Sequence, residues 1–318
     1  MRKLTLLILL TTLLVAVPAY GQGQPQTEEQ VPIALVPEVF DSGGAALDAE
    51  DYDRAVLDFS LYILLNPTFS QGYYARALSY LGREDTDKAL EDIEQALATT
   101  PPDLPEYEAA LYALRASIYS DQERYDEAIA DYTEAIELSP GAEFYANRAL
   151  VYATIEDFDK ALPDLNNAIE QMSNDPFLRV YRAYVNTQLG NTDEAAPDYY
   201  SFMQLIETRR VENDTLVEGE PQYITIGQGT VHQFEIEGER DQVISILAQG
   251  RPGDGIDPLL VLLDEDGDVL AANDDYGDGI DSLIIDFQLP SDGTYTVLVT
   301  HSLGGFNGEV VVAYEVTK

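Results

Sequence analysis

The chain has 318 residues, 45% of them hydrophobic, with no cysteine and a formal charge of −41. That apolar fraction excludes a disordered acidic tail, and the lack of cysteine excludes disulfides, thiolate metal sites and a lipid carried on an N-terminal cysteine. A field this negative repels phosphate backbones and favours cations or basic proteins, although the same charge also serves solubility alone.

Arg2 and Lys3 precede an uncharged apolar run from Leu4 to Val17, and Ala19-Tyr20-Gly21 follows with small residues flanking a cleavage point. This reads as a secretory signal peptide over residues 1–21. The run is shorter than the roughly 20 residues of a membrane span. The expected location is therefore secreted or periplasmic, with nothing membrane-spanning after cleavage. Residues 22–35, with their Gln, Gly, Pro and Glu, are expected to be a flexible linker.

From residue 36 to 208 the chain is periodic. Alanine three residues before aspartate recurs at Ala55/Asp58, Ala89/Asp92, Ala128/Asp131, Ala161/Asp164 and Ala195/Asp198, the alanines being 34, 39, 33 and 34 residues apart. A fixed period in this range marks a solenoid. Each unit reads as two amphipathic helices. In the third unit Tyr112, Ala116 and Tyr119 share one helical face, Asp121-Gln122-Glu123 breaks it, and Tyr125, Ala128, Tyr132 and Ala135 mark a second face closed by Pro140. Small residues let paired helices approach while tyrosines fill the grooves. The long interval is explained by a proline-rich insertion at Pro101-Pro102-Asp103-Leu104-Pro105.

These positions recur in register: Gly43, Tyr52, Ala55, Phe59 and Pro67, then Tyr73, Ala77, Tyr80, Ala89, Ala96 and Pro101, then Tyr145, Ala149, Tyr152, Phe158, Ala161 and Ala168. The set resembles the tetratricopeptide repeat. The fifth unit keeps Ala183, Ala195 and Tyr199 but has Asn186 and Thr192 in place of aromatics, as suits a terminal unit facing a different neighbour. The resemblance implies a superhelix whose first helices bind extended peptides. The groove positions are then Tyr74, Leu78, Ala113, Ser117, Ala146 and Leu150. No lysine is among them, so a clamp for a C-terminal carboxylate is not supported, and a basic or neutral peptide fits the acidic surroundings better.

A second ladder accompanies the first. Arg76, Arg115, Arg148 and Arg182 each precede the small packing residue of a first helix. With Asp58, Asp92, Asp131, Asp164 and Asp198 on the second helices, they are expected to form a partly buried column of ion pairs that fixes the stacking register. The other reading is an arginine row that grips acidic ligands.

From residue 212 to 318 the period changes to 2. Phe234 and Ile236 alternate with glutamates. Leu283, Ile285, Phe287 and Leu289 alternate with Ile284, Asp286 and Gln288. Tyr295, Val297 and Val299 follow, then Val310, Val312, Tyr314 and Val316. Turn signals at Gly227-Gln228-Gly229, Asp266-Gly267 and Asp292-Gly293 separate about eight strands of an antiparallel sandwich. The series Asp257-Pro258-Leu259-Leu260, Asp266-Gly267, Asn273-Asp274-Asp275, Asp281-Ser282, Leu289-Pro290-Ser291-Asp292-Gly293-Thr294-Tyr295 and Gly308 resembles the bacterial pre-peptidase C-terminal domain. The resemblance implies a jelly-roll-like sandwich appended to a secreted protein, binding collagen, polysaccharide or calcium in some members.

Asn273, Asp274, Asp275, Asp278 and Asp281 crowd one glycine-containing loop that could supply oxygens to Ca2+. Asp264-Glu265-Asp266-Gly267-Asp268 is no EF-hand, because its glycine comes too early, and reads as a β-turn. The two histidines, His232 and His301, have no metal-ligand partner at helical spacing and are expected at the surface. No nucleophile elbow or phosphate-binding loop appears. The sequence therefore points to an exported, non-enzymatic adaptor with an unidentified protein or peptide partner. The alternative makes the sandwich a calcium-dependent binder of extracellular matrix protein or polysaccharide, with the solenoid as spacer.

Overall fold

The computed structural model describes residues 36–274, 281–302 and 307–318. The signal peptide and linker expected over 1–35 lie outside these residues. The chain divides into two compact units, residues 1–151 and 152–318.

The first unit is helical. It holds α1 (Val36–Asp48), α2 (Tyr52–Leu65), α3 (Ser70–Gly82), α4 (Thr86–Thr99), α5 (Pro105–Asp121), α6 (Tyr125–Leu138) and most of α7 (Ala142–Thr154). The heavily packed pairs are α1 with α2, α3 with α4, and α5 with α6, as the repeat predicts. The alanines expected at the helix crossings are fully buried, with Ala55, Ala77, Ala89, Ala116, Ala128 and Ala149 at 0% exposure. Gly43 meets the same demand in the first pair, since a Cβ there would sit 2.7 Å from the Phe59 ring. Part of the proline-rich insertion is helix rather than loop. Pro105 opens α5, which runs 17 residues against 13 for α3. Proline suits a first helical position because its missing N–H has no partner there.

The hairpin turns share one device. Glu50, Glu84, Glu123 and Glu156 adopt left-handed backbone (φ 58–62°), and Gly190 does so in the last pair (φ 79°). The N–H of the following residue returns to the carbonyl five residues back, as in Asp85 to Tyr80 and Arg124 to Tyr119, both 2.8–2.9 Å. This Schellman-type closure satisfies a carbonyl the helix end leaves open.

The second unit contains α8 (Phe158–Gln171), α9 (Pro176–Gln188), α10 (Thr192–Ile206) and nine described strands: β1 (Arg209–Glu212), β2 (Gln222–Ile226), β3 (Thr230–Gly238), β4 (Val243–Gly250), β5 (Pro258–Leu263), β6 (Val269–Asn273), β7 (Ser282–Gln288), β8 (Gly293–His301) and β9 (Gly308–Val316). They form a five-stranded sheet, ordered β1-β3-β8-β5-β6, facing a four-stranded sheet, ordered β2-β9-β4-β7. Pairing is antiparallel except that β1 runs parallel to β3. The core between the sheets holds Phe234, Ile236, Ile244, Ile246, Leu260, Tyr295, Val297 and Val312.

The five-stranded sheet has a second buried face. Val231, Leu259, Val261, Leu263 and Leu298 pack against Val180, Ala183, Tyr199, Phe202 and Met203 of α9 and α10. Helix, sheet and sheet make three layers, and all six residues of β5 are buried. The different neighbour of the fifth helical pair is this sheet.

Two expectations change here. On β7 the inward residues are Ser282 and Ile284, while Ile285 is 52% exposed. An extra residue bulges β7 between Ile284 and Phe287, opposite Ile246 and Ile244, with Asp286 at φ 48°. The bulge switches the face, so Phe287 packs against the core after all. His232 and His301 are not surface residues but 6% and 3% exposed. His232 shares the inter-sheet face of β3 with Phe234 and Ile236, and His301 shares that of β8 with Tyr295, Val297 and Val299, so both point into the core between the sheets.

Candidate functional site

The arginine–aspartate ladder forms within hairpins. Arg76 donates from Nε and Nη2 to the two oxygens of Asp92, both at 2.7 Å. Arg115 grips Asp131 in the same way at 2.6 and 2.8 Å, and Arg182 grips Asp198 at 2.6 and 2.8 Å. Each pair spans 16 residues, from a first helix to its own second helix. The aspartate side chains are 4–8% exposed and the arginines 19–23%. Hydrogen bonding to the aspartates holds the Arg76 and Arg115 guanidinium groups above their usual pKa, against the opposing effect of burial.

The remaining arginine nitrogen crosses to the preceding hairpin. Nη1 of Arg76 reaches Ser60 Oγ at 3.1 Å, Arg148 reaches Thr133 Oγ1 at 2.9 Å, and Arg182 reaches Asn166 Oδ1 at 2.9 Å. Tyrosines flank the cations along the same helix face: Tyr73 and Tyr80 lie 6.0 and 5.8 Å from Arg76, Tyr112 and Tyr119 5.4 and 5.8 Å from Arg115. The column thus pins both the hairpin and its stacking on the previous one. Asp164 is also buried, at 4%. The first hairpin departs from the pattern. Position 42 is serine, which donates to Asp58 at 2.7 Å, and Arg54 of α2 supplies the charge at 2.8 Å. Burial opposes ionisation of Asp58, but the hydrogen bonds from Arg54 and Ser42 prevail and its pKa is lowered.

The expected groove positions separate. Ala113 and Ala146 are 2% exposed and belong to helix packing. Tyr74, Leu78, Ser117 and Leu150 are half-buried. Tyr74 meets Tyr107 edge-on at 5.9 Å, and the Ser117 hydroxyl returns to the Leu114 carbonyl at 2.8 Å.

The acidic loop is described only in part, since Asp275 and Asp278 lie outside the described residues. Asn273 Oδ1 accepts from the Leu283 N–H at 3.0 Å. The Asp281 carboxylate accepts from the Gly250 N–H at 3.1 Å and from Gln249 at 2.9 Å, tying the loop to the end of β4. Asp274 is 7% exposed. Among the described residues no three carboxylates or histidines converge on a cation-sized site. The Asp264 segment is a turn: its carboxylate accepts from the N–H groups of Asp266 and Asp268, with Gly267 at φ 84°.

The sandwich motifs have structural tasks. Asp257 accepts from the Ser302 hydroxyl at 2.8 Å, the Tyr295 hydroxyl donates to the Ser291 carbonyl at 2.7 Å, and Asp292 accepts from the Arg240 N–H at 2.7 Å. Sequence reasoning missed one feature. His232 bridges the two sheets, with Nε2 at 3.1 Å from the Thr225 carbonyl and Nδ1 at 3.2 Å from Asn213 Nδ2. It lines a 380 Å³ cleft with Arg209, Thr230 and Asn307. Burial lowers its pKa, the Thr225 carbonyl raises it and nearby Arg209 lowers it further. The alternation itself was the available signal, since His232 shares the face of Phe234 and Ile236 on β3.

Family models of the tetratricopeptide repeat match residues 70–103, 109–141 and 142–171, and that of the bacterial pre-peptidase C-terminal domain matches 228–301. The chain carries tetratricopeptide repeats followed by a pre-peptidase C-terminal domain. Among solved structures, MamA residues 41-end from Desulfovibrio magneticus RS-1 is similar at 13% identity, covering 54% of this chain and 94% of that one with a TM-score of 0.49. PilF of Pseudomonas aeruginosa is 18% identical over 53% of this chain and 75% of its own, with a TM-score of 0.47. YrrB, described as a TPR protein with an unusual peptide-binding site, is 15% identical over 52% of this chain and 84% of its own, with a TM-score of 0.45. No curated protein matches the chain. In the described residues no helix is long and apolar enough to cross a membrane.

Proposed function

We propose that the protein is an exported, non-enzymatic scaffold whose tetratricopeptide repeats hold a basic or neutral peptide segment of a partner protein, while the C-terminal domain attaches it outside the cytoplasm or supports its export. The observation that carries this reading is the arginine column. Arg76, Arg115 and Arg182 are bound to aspartates and so do not serve an acidic ligand. What remains on the first helices is half-buried tyrosine, leucine and serine within a chain of charge −41. A rigid, acid-surrounded surface of this kind suits a peptide with apolar side chains and positive charge.

The test is selection from a random peptide library on the full chain. Enriched peptides should carry Lys or Arg, and Leu78→Ala should weaken them about tenfold in a chain that circular dichroism shows to be folded. Enrichment of acidic peptides, or binding indifferent to Leu78, would sink the proposal. The alternative, a calcium-dependent matrix or polysaccharide binder, wants aromatic side chains along one sandwich face. Among the described residues of the sandwich only Tyr223, at 76%, is a strongly exposed aromatic.

A further inference from the structure

The second helix of the first hairpin, α2, has a leucine-covered outward face. Leu57, Leu61 and Leu64 are 62%, 44% and 76% exposed, and Leu65 and Phe69 extend the strip. The helix buries Ala55, Phe59, Tyr62 and Ile63 on its other side, so these leucines are surplus to the packing of the hairpin. The repeat supplies an internal control. Counted from the aligned alanines, the same three positions are Glu91, Gln95 and Ala98 in the second hairpin and Ala130, Glu134 and Glu137 in the third, all exposed. The fourth has Asn167 and Glu170 and the fifth Ser201 and Gln204 at the last two. The fold therefore does not need leucine there, and a hydrophobic strip of this kind marks a contact surface.

The spacing of Leu57, Leu61 and Leu64 is 4 then 3, the d-a-d interval of a helix–helix seam. Around it, residues 36–69 contain Glu38, Asp41, Asp48, Glu50, Asp51, Asp53 and Asp58 against Arg54 alone, which is itself paired with Asp58. We propose that this face of α2 docks an amphipathic helix of another protein, one with aliphatic residues at heptad spacing and Lys or Arg along its flanks. Charge complementarity selects that occupant over a second copy of this acidic chain. The site lies on a second helix, separate from the groove on the first helices, so each reading can fail without the other.

The probe is a labelled three-heptad helical peptide with Leu at a and d and Lys at e and g, titrated into the full chain, with a scrambled peptide of equal composition beside it. The variant L57E/L61Q/L64A installs the residues the second hairpin already folds with, and circular dichroism checks that it stays folded. Saturable binding is expected, weaker in high salt, and about tenfold weaker for the triple variant and for the scrambled peptide, as loss of buried leucine contacts requires. Equal binding by the variant or the scramble would mean charge attraction alone and overturn the proposal. So would absence of binding, or a dimer in sedimentation that the triple variant makes monomeric, which would assign the face to a second copy.

Discussion

Arg115 and Asp131 are joined by two parallel hydrogen bonds of 2.6 and 2.8 Å across the α5–α6 hairpin, with the Arg115 guanidinium lying between Tyr112 and Tyr119. The carboxylate is 8% exposed and the arginine 19%, so the pair is largely shielded from solvent. Arg115→Ala should cost about 2–4 kcal/mol, because it strands a buried charge, whereas Arg115→Met with Asp131→Leu should recover most of the loss. Removing the exposed Arg124–Glu127 pair should change stability by less than about 1 kcal/mol. Urea unfolding of the four proteins decides, and an Arg115→Ala protein as stable as the parent would contradict the pair's structural role.

Ala116 and Ala149 are fully buried, both being 0% exposed. Ala116→Leu or Ala149→Leu should force the helices apart at a cost of about 1–3 kcal/mol. Unchanged thermal melting in both would show that the helix crossings lie elsewhere.

Glu84 and Glu123 hold left-handed backbone at φ 61° and 62°, where the last pair uses Gly190. Relief of about 1–2 kcal/mol of steric cost, less the entropy of an added glycine, predicts that Glu84→Gly or Glu123→Gly stabilises by about 0.5–1 kcal/mol. A lower denaturation midpoint for both would show that the glutamate side chains contribute more than the strain removes.

Burial lowers the pKa of both His232 and His301 from the ordinary 6.5. Below 6.5 the unfolded chain takes up protons that the folded chain resists, so stability is full above that value and falls as the pH drops toward the lowered folded values. Melting temperature should decline below pH 6.5, and His232→Gln should flatten that slope whatever its effect at neutral pH. A slope identical to the parent's would mean that His232 is already solvated in the folded protein.

Much of the site was legible because the repeat writes it several times. Arg76, Arg115 and Arg182 find the aspartates that share their period, since residues 16 apart on paired helices face each other in every hairpin. Asp58 shows the limit. Its partner Ser42 holds the arginine's place in the register without its charge, and Arg54, which supplies the charge, follows no period. The crossing contacts to Ser60, Thr133 and Asn166 were equally hidden, because their side chains share a position but not a chemistry. Of the groove residues, alanine at a given register looks alike whether it lines a surface or a helix contact, so Ala113 and Ala146 needed the packed neighbours to be placed.

The sequence alone determined the helical repeat, its closely packed alanines, the ion-pair ladder and a following β-sandwich, because each is carried by spacing along the chain. The tertiary structure decided what depends on a distant neighbour. Packing of α9 and α10 on the five-stranded sheet turned β5 into a strand buried on both faces. The bulge at Asp286 moved Ile285 outward. Period-2 alternation reports one covered face, and a second covering layer, supplied by helices tens of residues earlier in the chain, leaves no local signal in the strands it buries.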